Sequence, residues 1–395
     1  MKTQVYRLSL HPLAIPLRRP FSHAAATRNT AQPIVVAVEL TAGAVGYGET
    51  LPREYVTGES VDSVIDAVRE HLLPAILEIH PENFPEALEQ ISALPTLAPD
   101  GSPITAARAG VELALLDAYS HHFQRPITEA AGWMGLPGLG PPGSLRSVRY
   151  SGIVGTGRTS RIGRFIRAMR CYGLRDFKLK VGGLDDNARV AAAVDTLGAS
   201  LRDGSTTLRL DANSGWDLET ARARLAGWEH LHIACVEQPL DKFRREDINE
   251  LHRTTTLELM HDESLVTYAD AESLVIDQVA DWFNLRLSKN GGFLETMRLA
   301  GMARQHKVRC QLGCMVGETG ILSAAGRRFL ECVPDIEFAE GSYGRFLLKT
   351  DITRRPVDFG YGGKPKPLVG LGWGVDVEPE RLKSLAQRTP IQIAL

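Results

Sequence analysis

Phe177-Lys178-Leu179-Lys180 opens a series that continues with Leu208-Arg209-Leu210-Asp211, Ala234-Cys235-Val236-Glu237, Leu259-Met260-His261-Asp262 and Asn284-Leu285-Arg286-Leu287-Ser288-Lys289. Each is a short apolar, β-like run closed by a charged residue. The closing residues Lys180, Asp211, Glu237, Asp262 and Lys289 follow one another at 31, 26, 25 and 27 residues. That step is one β-strand plus one helix. Where parallel strands alternate with helices and close into a barrel, residues at the strands' C-terminal ends converge on one site. Three carboxylates and two lysines would then share a pocket.

Outward from this series the rhythm continues. Strands are expected near 148–153, 175–181, 207–212, 233–237, 258–262, 282–288, 309–314 and 336–340, with helices at 184–200, 217–228, 244–253, 268–278 and 292–306. The fold class is therefore α/β: a TIM-type barrel of seven or eight β/α units. Upstream, residues 3–12 and 34–48 alternate as strands do, and His23 to Thr30 reads as a loop. Helical patterns follow at 59–77, 83–93 and Ala106 to Phe123, which together describe an α+β domain. The Pro/Gly connector Gly135 to Ser144 separates the two parts, and from Pro356 the chain turns Gly- and Pro-rich, suggesting a return to the first domain. The expected division is a capping domain over 1–130, completed by 356–395, and a barrel over 131–355.

The 395 residues are 44% hydrophobic and 23% charged, as in a globular protein with ample core. A formal net charge of -2 argues against nucleic acid or a membrane surface as partner. No apolar stretch approaches the roughly 18 residues of a membrane helix. The N-terminus reads as a strand, with no export signal, and the odd, sparse set Cys171, Cys235, Cys310, Cys314 and Cys332 fits reduced thiols; a cytoplasmic location is expected.

Asp211, Glu237 and Asp262 each follow apolar residues and precede a turn. Any one alone reads as a loop acid or helix cap. Three in successive β/α units make an oxygen site for Mg²⁺, with Mn²⁺ as the alternative. Asn213 shares the strand face of Asp211. Lys178 and Lys180 also share a face, and two ammonium groups side by side, near a divalent cation, should depress each other's pKa toward that of a general base. Lys289 falls across the barrel from them, so a substrate between would meet a lysine on either side. Glu318, after the seventh strand, either polarises a substrate carboxylate or orients a lysine, or else is a loop acid or cap for the helix near Ile321; both readings stay open. Arg286 should point inward with Asn284 and Ser288, either adding positive charge low in the barrel or serving structure alone. Removing a proton α to a carboxylate builds an enediolate dianion, which a divalent cation stabilises electrostatically. A carbonyl-condensing barrel with Lys180 as Schiff base leaves the three carboxylates unexplained.

At these residues the chain resembles the enolase superfamily, and within it the muconate lactonizing enzyme subgroup. The resemblance spans Gly46-x-Gly48-Glu49, Lys178-x-Lys180, Asp211-Ala-Asn213, Val236-Glu237-Gln238-Pro239, Asp262-Glu263-Ser264 and Ser288-Lys289-x-Gly291-Gly292. It implies Mg²⁺ on Asp211, Glu237 and Asp262, acid/base roles for Lys180 and Lys289, electrostatic help from Lys178, and Glu263 as a partner of the metal ligands. It places the segment His23 to Arg28, together with Arg53 and Tyr55, near the substrate's distal end. The implied activity is α-proton abstraction from a small carboxylate through an enolate. Outcomes in the subgroup are cycloisomerisation of a muconate-like diacid, racemisation or epimerisation of an N-acylamino acid, and o-succinylbenzoate-type or acid-sugar dehydration. The stretch Phe338-Ala-Glu-Gly-Ser-Tyr-Gly344 lacks the Asp-x-Asp of dipeptide epimerases, which disfavours that activity. Relatives of this fold assemble as octamers or dimers, so a homo-oligomer is expected. The reading from another class is a catalytically silent barrel that binds a carboxylate.

Overall fold

A computed structural model describes residues 3–23, 26–136, 139, 148–155 and 157–395, with backbone alone at 21–23 and 26–28. Most of the connector at 135–144 lies outside the described residues. The chain opens with strands β1 (Val5–Pro12), β2 (Ile15–His23), β3 (Ala26–Ala31), β4 (Ile34–Leu40) and β5 (Val45–Thr50). The barrel strands are β6 (Gly152–Val154), β7 (Asp176–Lys180), β8 (Thr207–Asp211), β9 (Cys235–Glu237), β10 (Leu259–His261), β11 (Trp282–Leu285), β12 (Arg309–Leu312) and β13 (Ile336–Ala339), and β14 (Ile391–Ala394) ends the chain.

Strands β14, β1, β4 and β5 form one antiparallel sheet in that order, so the C-terminal tail does return to the first strand. Two sequence expectations need correction. The alternating stretch 34–48 is a hairpin, turned where Gly43 N donates to Leu40 O at 2.8 Å. Thr27 to Thr30 are strand rather than loop: β3 pairs antiparallel with β2 through Phe21–Arg28, Ser22–Thr27 and His23–Ala26. Ladder bonds join backbones, so this hairpin forms without the side-chain alternation that a half-buried strand shows.

Strands β6 to β13 form an eight-stranded parallel sheet in sequence order. Its two edges meet: Tyr150 bridges Ala339, and Ser151 N donates to Ala339 O at 2.8 Å. That makes eight strands rather than seven. Along β7 every residue from Asp176 to Lys180 is buried. Phe177 and Leu179 pack in the apolar core, leaving Lys178 and Lys180 for the opposite, inward face.

The cap is held together internally by close backbone packing. A Cβ on Gly46 would lie 2.1 Å from Ala118 N, and one on Gly48 2.1 Å from Gly110 O. Strand β5 therefore rests directly on the helix Thr105–Phe123. Gly48→Ala should destabilise the fold by about 3 kcal/mol or more, because the clash is with backbone; urea unfolding checks this. The same helix lacks a side-chain cap of its own. Glu59 supplies it from a distance, accepting from Ala106 N at 2.7 Å and Ala107 N at 2.9 Å.

Burial pushes the Glu59 carboxyl up to about 7, against the pull of those two N–H groups. Between pH 4.5 and 7 the folded state then keeps a proton that the unfolded chain has released. Stability should fall as pH rises through that window, by up to about 3 kcal/mol from this group. Glu59→Gln should flatten the slope, read as unfolding midpoint against pH.

The five cysteines are unbridged. Among the described residues no helix is long and apolar enough to cross a membrane.

Candidate active site

The strand-end residues arrive together because β7 to β10 are adjacent and in register. Lys180 stands beside Asp211 in the β7–β8 pairing and Asp211 beside Glu237 in the β8–β9 pairing. Asp262 follows directly after β10, whose Met260 pairs with Glu237. Asp211, Glu237 and Asp262 are all essentially inaccessible to solvent. Left-handed backbone at Asn213 (φ 46°) and Gln238 (φ 38°) turns the chain sharply just past β8 and β9. Gln238 then locks the next strand end, accepting from Asp262 N at 3.0 Å and Ser264 N at 3.1 Å.

Cations are interleaved with these carboxylates. Lys178 Nζ reaches Asp211 Oδ2 at 3.1 Å, Glu237 Oε2 at 3.0 Å and Glu340 Oε2 at 2.7 Å. Lys180 Nζ donates to Asp211 Oδ2 at 2.5 Å and Asn213 Oδ1 at 2.7 Å. The Arg286 guanidinium bridges Asp262 and Glu237. Lys289 Nζ donates to Asp262 Oδ1 at 2.9 Å.

Burial works against the anion of Asp211, but Lys180 and Lys178 outweigh it and hold this carboxyl well below the usual range. Burial also works against Asp262, and there Arg286 and Lys289 prevail. Glu237 is pushed up to about 7 by burial and by neighbouring Asp211, so it is the carboxylate least compensated by the side chains around it. Lys178 stands among carboxylates, and their pull sets the direction of its shift. Burial disfavours its ammonium, yet Glu237, Glu340 and Asp211 together raise its pKa well above the lysine value. Burial lowers that of Lys289.

The cavity over these residues has a volume of about 190 Å³. Its charged wall includes Lys178, Lys180, Glu263 and Arg286; its apolar wall includes Ile153, Val316, Phe346 and Leu347. Arg53 and Tyr55 also line it, Arg53 donating to Val316 O at 3.1 Å. The side chain of Arg28 lies outside the described residues. Glu318 lines the cavity too, and Thr319 caps the helix Gly320–Cys332, so the helix-cap reading of Glu318 falls. Burial, then Glu49, pushes its carboxyl up to about 8. Lys289 is not among the residues lining the cavity. Strand β11 stops at Leu285, and the chain turns so that Lys289 sits beneath Asp262, fully buried.

Sequence reasoning missed Glu340 and Arg209. Arg209 donates to Glu340 Oε1 at 3.0 Å and stacks 4.0 Å from the Phe338 ring, so Glu340 is gripped between Arg209 and Lys178. Arg209 shares the inward parity of Asp211, which was a usable signal; Glu340 closes the eighth apolar run just as Asp211 closes the third.

Three carboxylates on adjacent strand ends are the donor set of a hard cation. Among the described residues they do not yet close on one point, because Arg286 lies between two of them. Buried acceptors without partners stand nearby, Glu263 Oε2 and Asn284 Oδ1. The donors present fit a divalent metal.

Residues 7–132 match the family described as mandelate racemase / muconate lactonizing enzyme, N-terminal domain, and residues 161–381 match enolase C-terminal domain-like. The L-Ala-D/L-Glu epimerase of Bacillus subtilis is 29% identical over 328 residues, covering 82% of this chain and 84% of that protein. Muconate cycloisomerase 1 of Rhodococcus opacus is 28% identical over 387 residues, covering 94% and 95%. The crystal structure of a dipeptide epimerase from Enterococcus faecalis V583, complexed with Mg and the dipeptide L-Leu-L-Tyr, aligns with a TM-score of 0.78 at 25% identity, over 94% of this chain and 99% of that one. With both halves of its length matched and the barrel and cap in place, the chain belongs to the enolase superfamily, among its mandelate racemase and muconate lactonizing enzyme members.

Proposed function

We propose that this enzyme abstracts the α-proton of a small carboxylate substrate through an enolate, with a cycloisomerase or racemase/epimerase outcome. The observation that carries the proposal is Lys180 at the cavity wall, its Nζ 2.5 Å from Asp211 beside a row of three strand-end carboxylates. Asp211, Glu237 and Asp262 would hold Mg²⁺, which when bound stabilises negative charge developing on the substrate's carboxylate oxygens. Lys180 takes the proton from Cα. Lys178, kept protonated by three carboxylates, adds a fixed positive charge next to the base. Arg53 and Tyr55 at the rim contact the substrate's far end. The neutral carboxyl of Glu318 can donate a hydrogen bond across the cavity. In this reading residues 1–130 with 356–395 act as the cap and 131–355 as the catalytic barrel.

Deuterium wash-in from D₂O, read by mass spectrometry, tests the reading on a panel of N-acylamino acids, muconolactones, dipeptides and acid sugars. Exchange at the α-carbon that needs Mg²⁺ and stops on adding EDTA is the expected result. Metal-independent exchange, or ligand binding with no exchange at all, would sink it and favour a silent carboxylate-binding barrel.

A further inference from the structure

Inverting a carbon centre takes an acid on one face and a base on the other. Among the described residues the cavity offers a lysine on only one. Strands β7 and β11 are four apart in a ring of eight and so face each other across the mouth. From β7 comes Lys180; from just past β11 comes Arg286, and both line the cavity. Their side chains keep 9% and 10% exposure, against 0% for Lys289.

The Lys289 ammonium is also fully committed. It donates to Asp262 O at 2.8 Å, Asp262 Oδ1 at 2.9 Å and Asn284 O at 2.8 Å. An ammonium has three donors, so none is left over. Bringing its Nζ to a substrate would break all three bonds and require Asp262 and Arg286 to move aside. A guanidinium, for its part, stays protonated in proteins and cannot accept a proton from carbon.

We infer that this is a one-base enzyme: Lys180 works on one face of the substrate, and Arg286 presents a permanent positive charge to the other. The inference rests on the α-proton abstraction proposed above and narrows its outcome. When Lys180 takes the proton, the Cα–H electron pair becomes the C=C bond of the enolate and the negative charge moves to the carboxylate oxygens. The same Lys180 ammonium returns a proton to the same face. Ring-forming, ring-opening or elimination chemistry on a single enantiomer fits this layout; racemisation does not.

Two experiments test it. Separated enantiomers of N-acetylamino acids and of muconolactone are incubated with the Mg²⁺-loaded protein in D₂O. The expected result is deuterium in one enantiomer of a pair, with no mirror-image product. Arg286→Lys should then gain exchange of the other enantiomer by about tenfold or more. Inversion by the wild-type protein, or no gain in a folded Arg286→Lys, overturns the inference. Independently of any substrate, reductive methylation with formaldehyde and borohydride, mapped by peptide mass spectrometry, should modify Lys180 and spare Lys289. Equal modification of Lys289 overturns it as well. If no panel member exchanges, the α-proton reading itself fails, and the methylation pattern alone decides where the two lysines face.

Discussion

Lys180→Ala should lower Mg²⁺-dependent α-hydrogen exchange by about 10²–10⁴-fold, the range a positioned general base contributes. The protein should remain folded. Asp211, the main partner of Lys180, keeps a second cation in Lys178 at 3.1 Å, so no uncompensated buried charge is created. Asn213 loses one hydrogen bond but keeps its contact to Glu263 at 3.3 Å. Lys180→Arg separates charge from basicity: it restores the positive charge beside Asp211, yet a guanidinium does not accept a proton at neutral pH. It should be as inactive as the alanine variant. Exchange rates from D₂O wash-in, read beside thermal unfolding of each variant, check both points. An arginine variant with wild-type exchange would mean that Lys180 supplies only charge.

Much of this site can be read from the sequence because a barrel makes its geometry periodic. An apolar run ending in one charged residue marks a strand end, and adjacent strand ends converge. Lys180, Asp211, Glu237 and Asp262 are therefore legible without a structure. The alternation rule also places Arg286 on the inward face with Asn284. It fails three residues later, since alternation has meaning only inside a strand and β11 ends at Leu285. Past that point the turn at Arg286 to Asn290 decides direction, with Lys289 N and Asn290 N both donating to Arg286 O. Hydrophobic pattern carries no information about such a turn, so Lys289 looks like a residue at the strand's open end and is instead fully buried, off the cavity wall. The surroundings of Lys178 are only half legible for a related reason. Its neighbour Lys180 is visible in the sequence, whereas Glu340, which helps to raise the Lys178 pKa, lies 162 residues away. The hairpin of β2 and β3 escaped because its bonds are between backbones.

Arg108→Met should destabilise the folded protein by about 3–5 kcal/mol, the cost of stranding a buried charge by removing its partner. Arg108 and Glu112, one turn apart on the helix Thr105–Phe123, are both completely inaccessible. The guanidinium contacts Glu112 and Gly291 O and donates to Leu94 O at 2.9 Å. Glu112 Oε1 accepts from Leu294 N at 2.7 Å, at the start of the helix Phe293–Gln305. The pair thus joins the cap to the segment that directly follows Lys289. Packing there is tight, for a Cβ on Gly292 would fall 2.1 Å from Glu112 Oε2. Without Arg108, the Glu112 carboxylate faces a dry interior with one N–H as its remaining partner. Glu112→Gln should cost a similar amount, about 3–5 kcal/mol: the amide oxygen still accepts from Leu294 N, but the buried Arg108 guanidinium loses its anion and cannot shed its charge. The double variant Arg108→Met/Glu112→Leu should recover part of the single-variant loss, since a buried pair replaced whole is far cheaper than one broken in half. Urea unfolding of the wild type, Arg108→Met, Glu112→Leu and the double variant gives the coupling energy directly. Strict additivity would mean that cap and barrel are held by the surrounding apolar contacts alone. A strong positive coupling would make this ion pair the joint through which the cap fixes the turn carrying Arg286 and Lys289.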